Sequence, residues 1–193
     1  MKIKIYQVDA FTDKVFSGNP AAVCPLESWL PDAVMQSIAV ENNLSETAFF
    51  VPVEDAYQLR WFTPKTEVDL CGHATLASAY VLFNLPGYAE NRIRFESRSG
   101  DLFVARHGRE LTLDFPAVFP QKCDMPDLLV DALGTEPLEL WSGEDYIALL
   151  SSEKEVRSVS PDFKMMCEIE TRGIIITSPG DTVDFVSRFF APR

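Results

Sequence analysis

The sequence has 193 residues, 47% of them apolar and 24% charged, the balance of a globular chain long enough to bury a core. Its net charge of −12 argues against nucleic acid and against an anionic membrane surface, both of which would repel it, while still allowing a small anion held by local backbone dipoles. Four widely spaced cysteines (Cys24, Cys71, Cys123, Cys167) show no CxxC pair and no CxxH spacing, which argues against a disulfide framework or a zinc site.

Met1 to Ile5 alternates lysine with isoleucine, unlike the unbroken apolar run of a signal peptide, and Lys2 to Phe11 reads as a strand. No apolar stretch approaches the roughly 20 residues a bilayer crossing needs, so a cytoplasmic protein is expected. Phe16 to Pro20 reads as a loop, after which Ala21 to Cys24 resumes an apolar strand. Pro31-Asp32 opens a helix with Val34, Met35, Ile38 and Ala39 on one face, and Asn42-Asn43 can end it. Thr47–Val53 and Tyr57–Phe62, rich in β-branched and aromatic residues, read as strands.

Gly72 to Phe83 has helical length and almost no polar face, so it must be covered on all sides. Its neighbours Arg92–Ser97, Leu102–His107 and Leu111–Phe115 read as strands. The economical arrangement is a strongly curved sheet wrapped around one central helix, 72–84, in an N-terminal α+β domain of residues 1–117. Prolines 116, 120 and 126 mark the crossing into a second unit, 118–193. There Asp127–Leu133 reads as a short helix ended by Gly134, and Asp145–Leu150, Gly173–Thr177 and Asp184–Phe190 as strands. That half shows no long apolar helix of its own.

Glu46 lies at the mouth of an apolar strand. Facing an apolar pocket, its charged form would be disfavoured, which is the tuning a general acid/base needs; facing solvent, it is an ordinary glutamate at a strand end. The stretch Val68 to Thr75 leads into the apolar helix, whose first turn offers unpaired N–H groups and the positive dipole end. Gly72 would let a carboxylate approach that backbone, or the helix start is simply capped by its own side chains. His73 could position substrate or shuttle a proton, or serve as a structural histidine. Cys71 could be a thiolate with a lowered pKa at the helix N-terminus, or a small buried apolar residue. Asp69 is a further candidate for site charge, whereas Arg60 and Arg188 sit inside apolar strands and call for a structural carboxylate partner.

Six stretches in order carry a resemblance: Asp9-Ala10-Phe11, Gly18 to Val23, Asn43 to Phe49, Arg60 to Pro64, Cys71 to Thr75, and Phe185 to Pro192. At these residues the sequence resembles the phenazine-biosynthesis PhzF-like isomerase/epimerase family, which shares its fold with diaminopimelate epimerase and proline racemase. The resemblance implies a diaminopimelate epimerase-like α+β fold: two β-barrel-like halves, each around a central helix, with the active site between them. It implies that Glu46 is the catalytic acid/base, that the Gly72-His73 backbone holds a substrate carboxylate, that Ser45 lines the pocket, and that Cys71 is the lesser catalytic candidate. It also implies a small carboxylate-bearing substrate, dihydrohydroxyanthranilate-like or amino-acid-like, no cofactor, no metal and a homodimer. The family continues past a segment like Phe189-Phe190-Ala191-Pro192 into one that supplies a second catalytic acid and starts a second central helix. This sequence stops at Arg193, so the second half is expected to be incomplete, and a binding or assembly module or an inactive truncated relative is the competing reading.

Overall fold

Tyr6–Ala10 (β1) and Asn19–Pro25 (β2) pair antiparallel, and β2 runs parallel to Glu46–Val53 (β3). A parallel neighbour needs a crossover, which helix α1 (Asp32–Asn42) supplies by burying Met35 and Ala39. Asn43 ends the helix in the left-handed region at φ 49, its N–H bonded to the Ala39 carbonyl; asparagine tolerates that conformation. Ala56–Phe62 (β4) returns antiparallel on β3 and carries Glu67–Val68 (β5) on its end. Arg92–Ser97 (β6), Gly100–His107 (β7) and Glu110–Asp114 (β8) complete an eight-stranded sheet of order β1-β2-β3-β4-β6-β7-β8, with β5 alongside β4. The computed structural model describes residues 2–192.

Helix α2 (Gly72–Phe83) packs against β1, β2 and β3 at one end of that strand order and against β8 at the other, so the sheet curls around it. Its buried side chains include Ala74, Ala77, Ala79, Val81, Leu82 and Phe83. Around them Val23, Ala48, Leu59, Trp61, Phe95, Leu102 and Val104 close one core. The covering is less complete than the sequence predicts. β1 and β8 do not pair, and a cavity of about 800 Å³ opens along that seam, floored by Leu76, Ala77 and Tyr80. Tyr80 stays 53% exposed, which its hydroxyl-tipped ring tolerates better than a leucine would.

Other boundaries shift for local reasons. The first strand begins only at Tyr6 and stops at Ala10, because Phe11 turns to φ 63 and leaves the extended region. Gly18 follows at φ 72, where an added β-carbon would lie 2.2 Å from the Ala10 carbonyl oxygen.

The chain divides into two compact units, Met1–Pro116 and Ala117–Arg193. In the second, Gln121–Lys122 (β9), Glu139–Ser142 (β10), Tyr146–Leu149 (β11), Ile174–Pro179 (β12) and Phe185–Phe190 (β13) form a sheet of order β13-β12-β11-β10-β9. Leu129–Leu133 (α3), Glu153–Ser158 (α4) and Phe163–Met166 (α5) are short helices, the last two within the crossover of the parallel pair β11–β12. Their apolar sides join Leu140, Ala148, Ile174, Ile176 and Phe190 in a second core. The sequence reading misses α4 although its start is legible: Ser152 accepts a hydrogen bond from the Glu155 N–H, a serine-x-x-glutamate cap. Arg188 also departs from expectation. Among the described residues no carboxylate meets it; its Nη1 donates to the carbonyls of Val156 and Val159 at 2.9 and 2.7 Å, the unpaired C-terminal end of α4. Arg60 does find carboxylates, on Glu67 and Asp32.

Candidate active site

Two chain starts meet inside the first unit. The left-handed turn at Asn43 redirects the chain from α1 into Leu44-Ser45-Glu46, so Glu46 opens β3 opposite Ala21 of β2. The Asn42 side-chain amide donates to Thr47 Oγ1 at 3.1 Å and ties the two sides of the turn together. On the other side, extended Cys71 (φ −148) precedes α2, and no side chain hydrogen-bonds across this helix N-terminus as a cap. Thr75 Oγ1 donates to the Cys71 carbonyl at 2.6 Å and fixes the first turn.

These elements bring Ser45, Glu46, Cys71 and His73 together. His73 Nε2 lies 3.2 Å from Glu46 Oε2 and 3.4 Å from Ser45 Oγ, while Nδ1 lies 3.4 Å from Cys71 Sγ. The Glu46 side chain keeps 19% of its surface exposed, yet its Oε2 is out of solvent and makes no aligned hydrogen bond among the described residues. The Glu46 carboxylate thus turns inward rather than into solvent. At 3.2 Å the imidazole is close to that oxygen but off the line a strong hydrogen bond prefers. Small ring or carboxylate rotations, or an arriving ligand, would use the free acceptor.

Burial holds the His73 imidazole below its ordinary 6.5, outweighing the Glu46 carboxylate and the Pro20 backbone carbonyl, which pull the other way. His73 is a neutral ring near pH 7, able to donate one N–H and accept at the other nitrogen. The Cys71 thiol is pushed up to about 12, first by burial and then by the Glu46 carboxylate, against the nearby backbone N–H groups of Ala74 and His73, which favour the thiolate. This runs opposite to the lowered value that a thiolate at a helix N-terminus would have, so Cys71 is a neutral thiol.

Gly72 has ordinary backbone angles, and an added β-carbon would meet only side chains, the Phe115 ring at 3.4 Å and Leu113 at 3.9 Å, so nothing in the backbone demands glycine there. Asp69 is not part of the group: it is exposed and pairs with Arg98 at 3.5 Å. His107 sits exposed at a strand end. The sequence reading did not single out Asn42, Thr75 or the Pro20 carbonyl for roles at the site. A backbone carbonyl carries no residue-type signal, and the other two act through contacts that only folding creates. The cavity at the β1–β8 seam has neither Glu46 nor His73 in its lining and is a separate feature.

The model of the phenazine biosynthesis-like (PhzC-PhzF) family matches residues 8–193. The chain belongs to that family. An uncharacterized isomerase of Pseudomonas aeruginosa is 50% identical over all of this chain and 74% of its own length. A crystal structure of a PhzF-family phenazine biosynthesis protein from Enterococcus faecalis superposes with a TM-score of 0.93 at 50% identity, again over the whole chain and 74% of that protein. A predicted epimerase from Pseudomonas aeruginosa, at TM-score 0.69 and 21% identity over 91% of this chain and 70% of its own, shares the fold. The chain thus has a PhzF-like α+β fold, shared with a predicted epimerase, and relatives that carry the name isomerase. Among the described residues no helix is long and apolar enough to cross a membrane.

Proposed function

We propose that this PhzF-family chain is a cofactor-independent isomerase or epimerase that moves a proton on a small carboxylate-bearing substrate, dihydrohydroxyanthranilate-like or amino-acid-like. The observation that carries the reading is the buried Glu46 oxygen, without an aligned hydrogen bond, beside the neutral His73 at the uncapped start of α2. Relatives named isomerase match along the whole chain, which favours catalysis over a binding module.

Each residue then has a task. The first-turn backbone at Gly72 and His73 holds the substrate carboxylate, because unpaired N–H groups and the helix dipole favour negative charge there. Ser45 offers a hydroxyl to the same pocket. Glu46 takes a proton from the carbon activated by that carboxylate. Neutral His73, donating from Nε2, steadies Glu46 once it is a carboxylate again and does not itself compete for the proton. If Glu46 returns the proton to another carbon on the same face, the product is an isomer; return from the opposite face needs a second group and gives an epimer. Cys71, protonated and nearby, is the lesser candidate for that group.

The test is solvent deuterium exchange into trans-2,3-dihydro-3-hydroxyanthranilate and a panel of amino-acid-like carboxylates, followed by NMR. With whichever of these the wild type labels, Glu46→Gln should slow exchange by about 10²–10⁴-fold while the circular dichroism stays native. Labelling by a folded Glu46→Gln protein at the wild-type rate would remove Glu46 from its role.

A further inference from the structure

We propose that Glu46, Cys71 and His73 form a three-donor site for one soft divalent cation, for which Zn²⁺ is the natural candidate, and that the ion occupies the acid/base centre when bound. One donor atom from each residue lies within 4.8 Å of the others, and each comes from a fixed place: the first residue of β3, the residue before α2, and the second residue of α2. Cys71 Sγ and His73 Nδ1 stand 3.4 Å apart, close to the spacing of about 3.5 Å that two ligands adopt across a tetrahedral zinc. Glu46 Oε2 supplies an oxygen that is buried and has no aligned hydrogen bond, so a cation would meet an acceptor already stripped of water.

The donor set indicates the metal. A thiolate with an imidazole selects Zn²⁺ or similar soft ions over Mg²⁺ and Ca²⁺, which want oxygen ligands. Three protein ligands leave a fourth position for water or a substrate oxygen. On binding, the Cys71 S–H proton passes to solvent as the sulfur–metal bond forms, with no change of oxidation state. His73 gives a lone pair from Nδ1, which places its N–H on Nε2 toward Ser45 and frees Glu46 Oε2 for the ion. The sequence spacing gives no hint of this, because the glutamate comes from a separate strand far from the Cys-Gly-His stretch.

Metal binding is independent of the isomerase reading; only the blocking of the acid/base centre rests on it. Co²⁺, which takes zinc sites and reports them optically, is added to the metal-free wild-type protein. The expected result is a near-ultraviolet thiolate-to-cobalt band that saturates at one equivalent and is bleached by Zn²⁺. Cys71→Ser should lose the band, His73→Asn and Glu46→Gln should weaken binding by about tenfold or more, and Cys123→Ser/Cys167→Ser should keep both band and stoichiometry. Circular dichroism of each variant separates loss of the site from loss of the fold. Absence of the band in the wild type at several equivalents would overturn the proposal. So would its survival in a folded Cys71→Ser protein, or its loss in the Cys123→Ser/Cys167→Ser protein.

Discussion

The two units solve the same packing problem differently. In the first, an eight-stranded sheet curls around one apolar helix, and nearly every turn of α2 is buried. In the second, a five-stranded sheet is covered by three short helices of four to six residues, which depend on caps and side-chain ties rather than on their own length. Ser152 and Asp162 cap α4 and α5, and Arg188 reaches back from β13 to the end of α4. A single long helix hemmed in by strands cannot relax when a side chain is removed; short helices on loops can. The first unit should be brittle to core truncation and the second sensitive to loss of polar ties.

The largest effect expected is therefore in α2. Leu82→Ala should cost nearer the upper end of the 2–5 kcal/mol range seen for buried leucine truncation. Leu133→Ala, equally buried in the five-residue α3, should fall nearer the lower end, both measured by urea denaturation. Equal losses would break the comparison.

Next comes Arg188→Met, which keeps the aliphatic bulk but strands the Val156 and Val159 carbonyls; about 1.5–3 kcal/mol should be lost. Because the partners are carbonyls, that loss should not change between acidic and neutral pH, whereas Arg60→Met, which takes from Asp32 the guanidinium that holds its carboxyl low, should cost less as Asp32 protonates. A strongly acid-dependent loss for Arg188→Met would contradict the contact geometry. Smaller still, Ser152→Ala should cost about 1 kcal/mol, with amide exchange quickening in α4 before the sheet.

The subtlest effect concerns pH. His73 has its folded pKa below the ordinary 6.5, so between those two values the unfolded chain holds the extra proton. Stability is then lost as pH falls through 6.5 and the loss is complete below the folded value, with no contribution above 6.5. Asp32 and Glu153, whose carboxyls ion pairs and hydrogen bonds hold low, add acid losses of their own, so the difference between wild type and His73→Asn isolates the histidine. An equal slope in both proteins near pH 6 would mean that His73 is not held neutral by burial.

Much of this architecture was legible. The run Gly72–Phe83 lies in the sequence as an apolar helix, because a segment with no polar face has few places to go. Strand β6 follows from alternating apolar residues, and β13 is only one residue shorter than the expected Asp184–Phe190. Helices α4 and α5 escaped, since four to six residues cannot show a helical period. The Arg188 partner escaped for a related reason: a helix hidden from the pattern also hides its unpaired carbonyls.

By itself, the sequence determined the class of the fold, the wrapped helix and the family to which the chain belongs. It also named the residues that now stand together, Ser45, Glu46, Cys71 and His73. Tertiary structure decided their chemistry. That Cys71 is a neutral thiol, that His73 is a neutral ring, and that one Glu46 oxygen is buried beside it all depend on how much water each group loses and which charges it faces. Desolvation and Coulomb interaction are functions of distance in space, and a linear order of residues does not contain them.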